Sequence, residues 1–128
     1  MARTLEIVKC CVCGNVVEVV HAGAGVLSCC GRMMTVFSDQ TVDPASEECY
    51  PVVHRTDEGI KVTIGSDVHA VIDEDHHIQW IEIRTDRFLM RQFLSRGDSP
   101  EATFRINAMD VTARAYCTER GLCVEKTA

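Results

Sequence analysis

Lys9-Cys-Cys-Val-Cys-Gly-Asn-Val-Val-Glu-Val-Val-His-Ala-Gly-Ala-Gly-Val-Leu-Ser-Cys-Cys-Gly31 holds five of the chain's eight cysteines, and its reading decides how the amino-terminal part folds. Cys10-x-x-Cys13 is a chelating pair, because the turn between its members lets two thiolates face one ion. The adjacent pair Cys29-Cys30 follows after fifteen residues. Vicinal cysteines rarely bridge to each other, since so small a ring strains the peptide, but both reach one ion where the backbone bends. Four thiolates around one ion make a tetrahedral sulfur site, suited to zinc or to a single iron. The competing reading is a set of buried free thiols or a cross-strand disulfide; a CxxC followed by a second close pair favours the metal. Gly14 and Gly31 follow the two pairs, and Gly23 and Gly25 lie between them. Such glycines permit tight turns that aim backbone N–H groups at ligand sulfurs. Cys11, inside the first pair, is by spacing the odd one out.

Working outward, Asn15-Val-Val-Glu-Val-Val20 reads as a strand and His21-Ala-Gly-Ala-Gly25 as its closing turn. A segment of about 37 residues is too short to build a useful core, and a bound metal supplies the missing organisation. The polar stretch Ser38–Ser46, with Pro44, reads as a linker. The expected division is therefore a four-cysteine metal domain over residues 1–37 and a larger domain over 38–128. The pattern of the larger domain is all-β. Gly59-Ile-Lys-Val-Thr-Ile-Gly65 alternates, with Ile60, Val62 and Ile64 on one face. His77–Ile83 and Ala102–Ile106 are further strands, and Val111, Ala113, Ala115 and Cys117 share a face opposite Thr112, Arg114 and Tyr116. Arg87–Leu94 fits strand or helix by pattern and is read as strand. Short strands with Gly, Asp and Pro turns between them predict a β-sandwich of immunoglobulin type.

Composition narrows the function. The 128 residues make one ordinary domain or two small ones, and 46% apolar with 25% charged residues excludes a disordered chain. Aromatics are only 5%, so the core leans on Val, Ile and Leu, which favour strands. A net charge of −6 without a basic run argues against a nucleic-acid partner. No apolar stretch approaches the roughly 20 residues of a membrane span. Met1-Ala-Arg-Thr-Leu-Glu6 lacks the apolar region of a secretory signal, so a cytoplasmic location is expected. In that setting eight cysteines point away from a disulfide framework. Of the five histidines, His21 and His54 read as ordinary surface residues. His69 and His76 sit at strand boundaries across a turn, and Cys117 ends a strand on its apolar face; converging, they would make a mixed nitrogen–sulfur site.

At these residues the chain resembles desulfoferrodoxin, the two-iron form of superoxide reductase. Lys9 to Gly31 is similar to its small desulforedoxin domain almost residue for residue. The resemblance continues through Ile64-Gly-Ser-Asp-Val-His69, His76-His-Ile-Gln-Trp-Ile81, Glu101-Ala-Thr-Phe104, Ala115-Tyr-Cys117 and Gly121-Leu122. It implies a superoxide-reductase-like sandwich after the first domain, and two mononuclear iron sites. Centre I would be Cys10, Cys13, Cys29 and Cys30, in a structural or electron-relay role. Centre II in the family is catalytic, with four equatorial histidines, an axial cysteine and an open position for superoxide. Iron(II) there gives one electron, and hydrogen peroxide leaves. A loop lysine attracts the anion. The resemblance further implies a role in detoxification, a small electron-transfer partner such as a rubredoxin, and a homodimer.

Two family motifs are altered. Where the family has Glu-Lys-His-x-Pro, this chain has Glu47-Glu48-Cys49-Tyr50-Pro51, so Glu48 stands at the lysine of the catalytic loop and Cys49 at an equatorial histidine. Where the family has Cys-Asn-x-His, this chain has Cys117-Thr118-Glu119-Arg120. The Arg120 guanidinium stays protonated and is no normal metal donor. Cys49, His69, His76 and Cys117 remain, a two-thiolate, two-imidazole set that holds zinc or iron tetrahedrally. A closed tetrahedral shell leaves no place for superoxide. Exchanging lysine for Glu48 also turns attraction into repulsion, by roughly 2–3 kcal/mol per unit charge before screening. Three functions follow as expectations: a superoxide-reductase-like oxidoreductase, a one-electron carrier or redox sensor using centre I alone, and a non-enzymatic metalloprotein stapled at centre II. Cys123, where the family has an aromatic residue, is a spare thiol or a substitute ligand.

Overall fold

The computed structural model describes residues 4–37, 50–65, 77–118 and 121–124, and the chain divides into two units, Met1–Thr41 and Val42–Ala128. The expected linker Ser38–Ser46 lies outside the described residues. All twelve described elements are strands, and no helix among them is long and apolar enough to cross a membrane.

The first unit is built around β1 (Ile7–Lys9), which pairs antiparallel with β2 (Val16–Glu18) and, on its other side, with β5 (Thr35–Phe37). The strand expected over Asn15–Val20 is thus present in shortened form. Beyond it, β3 (Ser28–Cys29) and β4 (Arg32–Met33) form a separate hairpin. Cys30 and Gly31 make its two-residue loop, at φ of 55° and 75°. Two consecutive positive φ values are what a type I′ turn requires, and they match the twist of the flanking strands. Among the described residues of this unit only Ile7, Val8, Cys10 and Val19 are buried hydrophobics, whereas Val12, Val20, Val26 and Met33 are exposed. So small an apolar core supplies little stability by itself.

The second unit is a sandwich of two antiparallel sheets, as the sequence pattern leads one to expect. One sheet has the order β10-β7-β6, from β6 (Tyr50–Thr56), β7 (Gly59–Gly65) and β10 (Glu101–Phe104). The other has the order β12-β11-β8-β9, from β8 (Ile78–Arg84), β9 (Leu89–Phe93), β11 (Thr112–Cys117) and β12 (Gly121–Val124). Arg87–Leu94 accordingly contains a strand. Ile60, Val62, Ile64, Ala102 and Phe104 from the first sheet meet Ile78, Ile81, Ile83, Ala113, Ala115, Cys117 and Cys123 from the second in one core. Each fully buried aliphatic side chain contributes about 1.5–3 kcal/mol relative to exposure. Gly59 turns β6 into β7 at φ 135°, and a Cβ there would lie 2.3 Å from the Phe104 carbonyl oxygen, so glycine is required by conformation and by space alike.

Two features of the second sheet go beyond simple alternation. Between Tyr116 and Cys117 the β11–β8 register shifts: Tyr116 faces Trp80, but Cys117 faces Ile78, leaving Gln79 as an extra residue in β8. On the face turned away from the core, Trp80, Glu82, Arg114, Tyr116 and Leu122 are also buried, while Phe93 at its edge is exposed. The register rows of that face are Leu122–Tyr116–Trp80–Phe93 and Val124–Arg114–Glu82–Arg91. Trp80 stacks on Tyr116 with ring centroids 5.9 Å apart, and the Arg91 guanidinium lies 4.3 Å above the Trp80 ring. Glu82, wholly buried, accepts a hydrogen bond from Arg114 Nε at 2.7 Å and another from Arg91 Nη2. The sequence pattern places Arg114 and Tyr116 opposite the apolar side chains of β11, and so they are. Their burial comes from the ion pairs and the aromatic stack, which alternation does not reveal.

Candidate metal centre

Four cysteines from distant turns meet in the first unit. Cys10 follows β1, and the Cys10 N–H donates to the Asn15 carbonyl while the Gly14 N–H donates to the Cys10 carbonyl at 3.0 Å, closing a tight knuckle. Gly14 takes φ 84° in that turn. The knuckle directs the Val12 and Cys13 N–H groups onto Cys10 Sγ, both at 3.4 Å. On the second hairpin, Cys29 lies in β3, and Cys30 occupies the left-handed turn position that swings its sulfur back toward its neighbour. Cys13 Sγ is 3.6 Å from Cys29 Sγ, Cys29 Sγ is 3.9 Å from Cys30 Sγ, and all four sulfurs lie within 4.8 Å of one another. A tetrahedron of thiolates at a metal–sulfur distance of about 2.3 Å has edges of about 3.8 Å. The observed spacing therefore fits one tetrahedral ion. None of the seven described cysteines is in a disulfide, so the alternative of a cross-strand disulfide is not realised among them.

The electrostatics are those of a site that needs a cation. The Cys13 and Val12 N–H groups stabilise the Cys10 thiolate and lower its pKa to about 6. The sulfurs of Cys13 and Cys29 push Cys30 up to about 12, and those of Cys13 and Cys10 also raise Cys29. The Cys10 thiolate forms readily, and those of Cys29 and Cys30 are resisted. A metal ion removes that resistance and displaces protons on binding. Metal retention against a competing chelator should consequently fall as pH drops from about 8 to about 5. A further step is expected as pH falls through about 6, where Cys10 itself regains its proton. Retention that is flat with pH would contradict this.

Cys11 is exposed and is not among the four converging sulfurs, as its spacing suggests. Asn15, whose Nδ2 approaches Cys29 Sγ at 4.0 Å, is a polar neighbour the sequence pattern does not single out. It follows Gly14, and the reversal of the knuckle is what carries it back over the sulfurs.

Of the residues expected at centre II, Cys117 is described: it closes β11, is buried, and faces Gly121 across to β12. Glu48, Cys49, His69, His76 and Arg120 lie outside the described residues. Cys123 is buried in the core opposite Ala115, and its thiol donates to the Gly121 carbonyl at 3.7 Å. Burial raises the pKa of Tyr116, with the neighbouring Cys117 adding to the shift. His54 has the ordinary role expected of it, with Nε2 3.0 Å from Thr63 Oγ1 on the neighbouring strand.

Comparison with known proteins follows the same division. The family model described as "Desulfoferrodoxin, N-terminal domain" matches residues 2–37, and that described as "Desulfoferrodoxin" matches residues 41–126. A desulfoferrodoxin of Syntrophotalea carbinolica is 47% identical over 122 residues, covering 95% of this chain and 96% of its own length. One of Nitratidesulfovibrio vulgaris is 47% identical over 121 residues, covering 94% and 95%. Among solved structures, the superoxide reductase of Treponema pallidum superposes with a TM-score of 0.66 at 24% identity, over 93% of this chain and 98% of that one; at that identity the likeness is one of fold.

Proposed function

Because the chain belongs to the desulfoferrodoxin family, we propose that it is an iron protein of superoxide-reductase type. The observation that carries this reading is the convergence of Cys10, Cys13, Cys29 and Cys30 within 4.8 Å, a donor set chemically matched to one iron. Centre I, on this reading, binds that ion and relays single electrons. Iron at centre II would supply one electron to superoxide, and two protons complete hydrogen peroxide. This chain's own residues shape that step. Cys117 would offer its sulfur to that iron from the buried end of β11, and the apolar core beneath it limits access of water. On this reading His69 and His76 join Cys117 with a position left open for superoxide, and Glu48 reverses the sign of the family lysine. Ligation by Cys49, which would close the shell, belongs to the second reading.

A second reading is favoured by one specific contrast: the centre I cysteines are complete, whereas the centre II motifs have lost two histidines and the lysine. The protein would then be a one-electron carrier or redox sensor working through centre I, with Cys49, His69, His76 and Cys117 holding a structural ion. One experiment separates the two. Reduced protein mixed with pulse-generated superoxide should be oxidised far faster than a Cys117→Ser variant. Equal rates would remove the reductase reading and leave the carrier.

A further inference from the structure

The two cysteine pairs of the metal centre meet hydrogen-bond donors in different ways. In Cys10-x-x-Cys13 the intervening positions form the knuckle, which turns the Val12 and Cys13 N–H groups onto Cys10 Sγ, both at 3.4 Å. Cys29 and Cys30 are adjacent, so no such turn fits between them. Cys29 instead stands in β3 opposite Arg32, and Cys30 enters the two-residue loop. The Cys29 sulfur meets Cys13 Sγ at 3.6 Å, Cys30 Sγ at 3.9 Å and Asn15 Nδ2 at 4.0 Å. The first two contacts are between thiols, and a metal ion that displaces their protons leaves those sulfurs nothing to donate. Among the described residues, the Asn15 carboxamide is then the donor that remains for Cys29 Sγ.

Asn15 is held for this from the other side. Its carbonyl accepts the Cys10 N–H at 2.8 Å, and Val16, the next residue, pairs with Lys9. The residue that closes the first knuckle therefore carries its side chain to the second cysteine pair, across 14 positions of sequence. A carboxamide suits the place, because ligand sulfurs are acceptors and its nitrogen is a donor. An aliphatic side chain or a carboxylate has no hydrogen to offer there.

We propose that Asn15 is a positioning residue of centre I: its Nδ2–H group donates to the Cys29 thiolate, replaces the backbone donors that the vicinal pair lacks, and raises the reduction potential of the iron held there. The inference rests on the iron-protein reading above and adds to it a residue that sets the potential. One electron added to the iron makes the centre one unit more negative, and the sulfurs carry part of that charge. A donor aimed at one of them favours the reduced form. Such a partner also fixes the orientation of the ligand itself.

The first test needs no iron. In protein loaded with an NMR-active cadmium isotope and labelled with heavy nitrogen, the Asn15 side-chain amide should show a scalar coupling to the metal through Cys29 Sγ, beside those of the Val12 and Cys13 amides through Cys10 Sγ. An Asn15 amide without coupling would overturn the proposal. The second test reads the midpoint potential of iron-loaded protein. Asn15→Leu should move it to a more negative value, and Asn15→Asp further still, because a carboxylate adds charge as well as removing the donor. Asn15→Leu should also release its metal to a chelator about tenfold more readily. Both substitutions keep the backbone carbonyl that closes the knuckle. Cys11→Ser, at an exposed neighbour outside the cluster, should leave the potential unchanged. Equal potentials for parent and Asn15→Leu, or an equal fall on Cys11→Ser, would also overturn the proposal. The cadmium measurement holds whether or not the protein takes up iron or reacts with superoxide, so failure of this inference and failure of the iron-protein reading are told apart.

Discussion

Cys29→Ser is expected to remove one metal ion per chain and, with it, most of the order in residues 4–37. The reasoning is local. Cys29 belongs to a strand of two residues and Cys13 to a turn, and their sulfurs are 3.6 Å apart across sixteen positions of sequence. Four buried hydrophobics are too few to hold β1, β2 and β5 together with a separate hairpin. Structural zinc sites of this kind contribute about 10–16 kcal/mol of binding free energy that is also folding free energy. Metal analysis should show the loss directly, and amide exchange should accelerate across β1, β2 and β5 while the strands β6 to β12 keep their protection. Cys11→Ser, which touches an exposed thiol outside the cluster, should change neither measurement. A Cys29→Ser protein that keeps both its metal and its protection would show that the four sulfurs do not organise this unit.

The second large effect is expected at Glu82. Its carboxylate is wholly buried between two arginines, Arg114 being 3% exposed. Glu82→Ala leaves both guanidinium groups facing an apolar void, and breaking a buried pair in this way costs about 3–5 kcal/mol. The loss should appear as a lower midpoint in urea, with little change in slope. Replacing the whole set, as in Glu82→Leu/Arg91→Leu/Arg114→Met, should recover much of it, because no uncompensated charge then remains. If Glu82→Ala unfolds at the same urea concentration as the parent, the network contributes nothing to stability.

Much of the architecture is legible in the sequence for simple reasons. Gly59–Gly65 alternates because one face of β7 meets the core and the other does not, and Ile60, Val62 and Ile64 are the buried set. The CxxC and the vicinal pair announce a thiolate cluster because few other arrangements place four cysteines so close. What is not legible has equally physical causes. A two-residue strand such as β3 or β4 has no periodicity to read, and the hairpin exists because Cys30 and Gly31 adopt positive φ. Glu82 and Arg114 have the pattern of solvent-facing positions, yet they are partners across 32 positions of sequence, and only the pairing of β8 with β11 brings them together. At centre II, Cys49 and Arg120 stand in the sequence where the resemblance leads one to expect histidines, and Cys117 is the member whose surroundings the structure describes.

The additional residue at Gln79 acts as a phase change within a single strand. Ile78 and Trp80 have the same parity, yet one side chain joins the sandwich core and the other the aromatic stack behind it. In a regular ladder of the same sequence Gln79 would stand opposite Cys117 and Ile78 would turn to the outer face, so the extra residue is what keeps Ile78 in the core. Loss of Gln79 is therefore a change of length that β8 can absorb with both side-chain sets on their present faces, whereas loss of a paired residue such as Glu82 would reverse the faces of the residues before it.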